Sequence, residues 1–234
     1  MASSAFVPFI ADTIRITRVD ACGTPIVGER STLVTTGIIS VALESDVDNG
    51  TDIEVKNARQ ELVARVPANP ITKDVKVTLT LTGVNVDLYE ICTAQQLVTD
   101  GSGNSIGLSV KESVPFTSGF ALETWSQMTF EGSDSCVEGG QEWGYFLTPF
   151  MSNGLIGNME LNSGALSCVI TGVSRRSSGW GVGPYNVANA ATVAGQVTPA
   201  PLATTWEPTE ILRMFRTPVA PPEPTDGAIA LATA

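Results

Sequence analysis

From Val75 to Thr82 the chain alternates without a break: Val75, Val77, Leu79 and Leu81 are apolar, and Lys76, Thr78, Thr80 and Thr82 lie between them. Successive side chains of a strand point to opposite faces, so this period of two predicts a strand with one buried and one wet face. Thr13 to Arg18 repeats the pattern with Ile14 and Ile16 inward. Trp143 to Phe150 and Leu155 to Leu161 predict two further strands, and Ala165 to Thr171 puts Leu166, Cys168 and Ile170 on one side. Cys168 there is a small core residue rather than a reactive thiol. A single helix is expected, capped by Asn85 or Asp87, with Leu88, Ile91, Cys92 and Gln95 following at helical spacing. With 43% apolar residues in 234 the chain is large enough to bury a core, which excludes wholesale disorder. The fold expected is mainly β with one flanking α-helix.

Turns and prolines organise the rest. Asp48-Asn49-Gly50 and Asn162-Ser163-Gly164 each separate two apolar-alternating runs and end in the glycine that a three-residue hairpin loop needs in left-handed conformation. Seven of the fourteen prolines fall between Pro199 and Pro224. Residues 198–234 therefore read as a Pro-rich C-terminal arm appended to a β domain over 1–197. Within the arm, Glu210 to Val219 is apolar enough to form a strand or to dock. The side chains Trp206, Ile211, Leu212, Met214 and Phe215 have no obvious place in an exposed tail, and the expectation is that they pack on a neighbouring subunit. No tandem repeat is visible.

The densest charge lies in one hairpin. Glu44, Asp46, Asp48, Asp52 and Glu54 fall within eleven residues that contain no base. Ile39, Val41, Leu43 and Val47 face one way on the first arm, with Ser40, Ala42, Glu44 and Asp46 on the other. A three-residue loop would pair Asp46 with Asp52 and Glu44 with Glu54, keeping Leu43 against Val55 on a clean apolar face. Like charges directly opposite are destabilising by up to ~1 kcal/mol per pair. Asp46-x-Asp48-x-Gly50-Thr51-Asp52 lacks the acid at the fifth position and the glycine at the sixth that a calcium loop requires. Two readings stay open, a solvated face and a surface that repels a passing polyanion.

Much else is excluded or bland. The chain has no histidine, which removes Ser-His-Asp and Cys-His catalysis and every His-ligated metal site. A net charge of −11 argues against a phosphate-gripping protein. Cys22, Cys92, Cys136 and Cys168 form no CxxC pair, so reduced, buried thiols are expected, and the first ten residues show no signal-peptide pattern. Trp180 to Tyr185 reads as a structural turn because Pro184 blocks a helix start. Arg175-Arg176 reads as a solvated strand end, and Trp125, Trp143, Phe146 and Phe150 as core or interface. No matched acid and base is flagged, and no catalytic residue, cofactor or metal is expected.

Several stretches, taken in order, carry a resemblance. They are Arg15 to Pro25, the Gly37 to Val55 acidic hairpin, Lys56-Asn57-Ala58 with Glu61-Leu62, and the Val75 to Leu81 strand leading into Gly83 to Leu88. The second half adds Trp143 to Phe150, Asn153-Gly154, Gly179 to Val187 and Val219 to Pro224. In this order they resemble the major tail protein, the tail tube subunit, of long-tailed siphophages infecting actinobacteria. Residues 225–234 have no counterpart in it.

The resemblance implies a tail-tube-type β-sandwich or barrel with extended N- and C-terminal arms. It implies hexameric rings stacked around a tape-measure protein, with strands from six subunits closing an inner barrel. Further partners implied are tail terminator and tail-tip proteins and double-stranded DNA in non-sticking passage, with no membrane; the place is the virion tail, after synthesis in the host cytoplasm. Such lumens are typically acidic. If Glu44, Asp46, Asp48, Asp52 and Glu54 look inward, six copies put thirty carboxylates on each ring; alternatively the hairpin tip reaches the next ring and pairs with Arg or Lys there. Other classes compatible with the residues are a capsid decoration or baseplate protein and an acidic β-sandwich that binds glycans.

Overall fold

The alternating stretches become the strands of one large antiparallel sheet. The computed structural model describes residues 7–114, 118–128, 142–160, 166–177, 179–193 and 196–231. In chain order, β1 (Pro8–Val19), β2 (Gly28–Thr35), β3 (Ile38–Asp48), β4 (Ile53–Lys56), β5 (Leu62–Val66) and β6 (Ile71–Thr82) precede helix α1 (Val86–Thr93). After it come β7 (Gln96–Thr99), β8 (Ser105–Ser109), β9 (Gly119–Met128), β10 (Trp143–Glu160) and β11 (Ser167–Ser174). The chain closes with β12 (Ala188–Val193), β13 (Gln196–Ala200), β14 (Arg213–Thr217) and β15 (Ile229–Leu231). The protein is mainly β with antiparallel sheets and, among the described residues, one helix.

Nine strands form the main sheet in the order β15-β2-β1-β9-β10-β11-β6-β3, with β14 added beside β10. The pairs β4–β5, β7–β8 and β12–β13 stand as separate two-stranded hairpins. The sheet folds over on itself. Ile14, Ile16 and Leu33 from one half share a core with Val75, Val77, Leu79, Leu81 and Ile170 from the other, as the alternation over 75–82 predicted. A second core lies on the far face of the central strands, where Ala121, Trp125, Tyr145 and Leu147 are covered by Trp180, Val187 and Trp206. β9 is thus buried on both faces, with Phe120 and Leu122 in the first core and Ala121 and Trp125 in the second.

Helix α1 starts at Asn85, whose Oδ1 accepts from the backbone N–H groups of Asp87 and Leu88, both at 3.2 Å. It buries Leu88, Ile91 and Cys92. The helix ends at Ala94, which is left-handed with φ 53°, so Gln95 lies beyond it. There the Gln95 side chain accepts from the Lys111 N–H at 2.8 Å instead of extending the helical face. The helix presses on β10 at Gly154, where a Cβ would stand 1.9 Å from the Cys92 carbonyl oxygen.

Four expectations change. Trp143 to Phe150 and Leu155 onward are not two strands but one strand of 18 residues. Its first half lies between β9 and β14, its second half against β11, and bulges absorb the change of neighbour. Residues 198–231 are not a free arm. Proline confines strands there to short edge pieces, yet β13 pairs β12, β14 joins β10, and β15 extends the sheet at β2. At the other end, Pro8 already belongs to β1, leaving only residues 1–6 for an N-terminal arm, outside the described residues. Cys92 and Cys168 are buried free thiols, but Cys22 is exposed. Burial pushes the Cys92 thiol up, consistent with an inert core residue. The loop at Trp180 is the turn expected, closed by the Gly183 N–H on the Trp180 carbonyl at 2.9 Å. Cys136 and the Asn162-Ser163-Gly164 turn lie outside the described residues.

Candidate functional site

Beyond Ser45, whose partner Val75 is still in the first core, the paired strands β3 and β6 leave the folded body as a hairpin, capped by the β4–β5 hairpin. Gly50 is left-handed, φ 66°, and its N–H is held by Asp48 Oδ1 at 2.9 Å, so the turn chemistry at Asp48-Asn49-Gly50 is as expected. The pairing is not. β3 pairs with β6, giving Glu44 opposite Lys76, Asp46 opposite Asp74 and Asp48 opposite Ile71. Asp52 and Glu54 belong to the cap, where Glu54 faces Arg65. The expected pairs Asp46–Asp52 and Glu44–Glu54 do not exist. The physical reason is length: β6 offers β3 a partner over its whole run, with Leu43 against Val77 and Val41 against Leu79, continuous with the core.

That register brings bases to the acids. Lys73 Nζ lies 2.8 Å from Asp48, and Arg65 bonds Asp52, donating from Nε at 3.0 Å. Arg65 and Lys56 each stand 3.9 Å from Glu54. The Lys73 hydrogen bond, with the Gly50 N–H second, holds the Asp48 carboxyl below its usual range. The Ala68 N–H at 2.6 Å, with Arg65 second, does the same for Asp52. Lys73 is raised in turn by Asp48. Over residues 44–76 there are seven acids and five bases, a net of −2. The remaining residues carry the other −9, so the hairpin is not where most of the negative charge resides. One like-charge pair remains, Asp46 with Asp74.

What the hairpin exposes is apolar. Ile39, Leu43, Val47 and Ile71 are exposed along it, and Ile53, Val55, Leu62, Val63 and Val66 at the cap, Val63 to 64%. The cap turn is tightly built: Asn57 Oδ1 accepts from the N–H groups of Arg59 at 2.9 Å and Glu61 at 3.0 Å. Sequence reading missed this surface because Leu62-Val63-Ala64-Arg65-Val66 shows no clean alternation; the signal available was that Leu62, Ala64 and Val66 make one face apolar while Val63 shares the other with Arg65. β3 is also an edge strand, with its outer row of backbone groups unpaired by the sheet.

The arm residues expected at a subunit contact have partners at home. Trp206 is buried in the second core, donates from Nε1 to the Glu210 carbonyl at 3.1 Å and lies under Arg213 at 4.8 Å. Phe215 stacks on Tyr145 at 4.8 Å, and Ile211 and Leu212 pack on the first core. Met214 alone of the five is largely exposed, at 55%. Where the side chains go follows from strand pairing: β14 lies beside β10, which turns Phe215 inward and Met214 outward.

Beneath the second core sits a polar network that sequence reading did not single out. Arg15 donates to both carboxylate oxygens of Glu123 at 2.6 Å, Tyr145 donates to the same carboxylate, and Tyr185 stacks on the guanidinium at 3.1 Å. Glu123 has no exposed surface. Burial opposes the Arg15 charge, but Glu123 outweighs it and holds the guanidinium more firmly protonated than usual. Burial first, and then Glu123, push the Tyr145 hydroxyl well up. Arg15, Glu123 and Tyr145 bond one another and the Tyr185 hydroxyl bonds Thr17, so the network locks β1 to β9 and β10 rather than presenting reactive groups. No family model and no curated protein matches the chain.

Proposed function

We propose that the chain is the repeating subunit of a phage tail tube, a structural virion protein whose hexameric rings stack into the conduit for genome ejection. One observation carries it. A β3–β6 pair and cap that together expose nine large apolar side chains, with a strand edge unpaired by the described residues, are an aggregation hazard in a monomer and an asset in a protein that closes on further copies. The ordered stretches from Arg15 to Pro224 supply the particular assembly, and a mainly antiparallel β fold with one helix is compatible with it.

The lumenal charge is smaller in this reading than five bare acids per subunit. The polar face of the hairpin, with Glu44, Asp46 and Asp74, lines the conduit, and Lys73 and Lys76 offset part of it. At net −2 per hairpin the wall repels a duplex weakly and over a range of only ~8 Å at physiological salt. A weakly acidic wall excludes sticking while crowding a single like-charge pair of the hairpin, Asp46 with Asp74. Negative-stain electron microscopy of the purified protein is the test. Hollow tubes are expected; discrete caps, or monomers at every concentration, overturn the proposal.

A further inference from the structure

The β4–β5 cap has a receptor-shaped counterpart elsewhere on the molecule. A mainly apolar groove of about 200 Å³ opens at the base of β3, lined by Pro8, Phe9, Val41, Phe146 and Leu212 among others, with Thr124, Ser126 and Thr148 as its polar members. It is the mouth of the first core, left uncovered by the described residues between the start of β1 and the edge strand β3. We infer that this groove receives the β4–β5 cap of a second copy of the chain, so that copies join head to tail.

The occupant follows from geometry and charge. The cap cannot reach its own groove: β3 continues five residues from Leu43 to Asp48 before the cap begins, ~17 Å at ~3.3 Å per residue, and it stays paired with β6 over that run. Nor does cap meet cap. Residues 53–66 hold Lys56, Arg59 and Arg65 against Glu54 and Glu61, a net +1, while the rest of the chain carries −12. Two caps repel, whereas a cap and an acidic body attract. The area is of the right order. At ~60–120 Å² per large aliphatic side chain, the five exposed at the cap contribute roughly 300–600 Å², the apolar share of the ~800 Å² that each partner gives a stable interface. A contact between two different surfaces of one chain generates open chains or rings rather than closed pairs.

Cross-linking between two variants tests this, in a Cys22→Ser, Cys136→Ser background that removes the thiol exposed among the described residues and the one that lies outside them. Val63→Cys and Phe9→Cys chains are prepared separately, mixed and oxidised. A disulfide-linked species joining the two different variants, more abundant than either variant's self-linked product by at least tenfold, is expected. Adding Val63→Glu in place of Val63→Cys should leave monomer thermal stability unchanged and raise the concentration needed for association at least tenfold. Self-linked Val63→Cys as the main product overturns the docking. So do assembled tubes that give no Val63–Phe9 link, an outcome that leaves the assembly proposal standing. Monomers at all concentrations, without link or tube, overturn both.

Discussion

β9 and the β3–β6 hairpin are both long antiparallel strands of good β-formers, yet their surroundings are opposite. β9 has a core on each face and sits between β1 and β10; the outer half of β3 has no core on either face and a neighbour on one side only. Alternation of side chains defines the faces of a strand but not what covers them. In β9 the cover comes from segments more than fifty residues later in the chain, Trp180 and Trp206 among them. In the hairpin the described residues supply no cover, which is the difference between a strand that stabilises a domain and one that, in the proposed assembly, would recruit a partner.

The sharpest way to break this contrast is to strike each region and read the stability of the monomer. Glu123→Gln removes the carboxylate that pairs with buried Arg15 and should cost about 3–5 kcal/mol in urea unfolding. Val63→Ser, at the cap, should stay within ~0.5 kcal/mol of the parent protein. Equal losses would mean that the hairpin is part of the cooperative core after all. Gly154→Ala comes next. The new methyl meets the Cys92 carbonyl, a backbone atom that cannot swing aside, so α1 must shift off β10 at a cost of about 1–3 kcal/mol, measured by the same unfolding midpoint.

Acid gives the smallest effect and the most local one. Asp48 and Asp52 are held below the ordinary carboxylate range in the folded hairpin. Their stabilising share is therefore complete above that range, near pH ~4, and is lost as pH falls through the lower folded values. Amide exchange protection in β4 and β5 should fall below pH ~4 while protection in β9 persists, and Asp48→Asn should remove part of the pH dependence. Uniform loss across both regions would refute the separation.

The body was legible because its signals are short-range. Ile14 and Ile16, the Val75 to Leu81 ladder, the Asn85 cap and the turn at Trp180 each announce themselves within one element. The hairpin register was not, because the residues that decide it are distant: Lys73 and Lys76 lie more than twenty residues beyond the acids they meet, and the nearer candidate Asn49-Gly50 turn offers a plausible but shorter ladder. The C-terminal segment misled for a related reason. Proline density describes what a segment cannot do alone, and says nothing of the single pairing between β14 and β10 that draws it into the sheet. Arg15 and Glu123 stand 108 residues apart and carry no local signature of their partnership.

The order in which these contacts close has a consequence for synthesis. β3 and β6 are complete once residue 82 has emerged, and their pairing needs nothing further along the chain. The body waits for β14, whose last residue is Thr217. At ~5–20 residues per second that interval is roughly 7–27 s, against microseconds for a hairpin to form. In the proposed assembly the docking hairpin is therefore born long before the body on which a neighbouring copy would seat it. Nascent chains on one message would carry the plug before they own the socket, a delay that would keep them from polymerising on the ribosome.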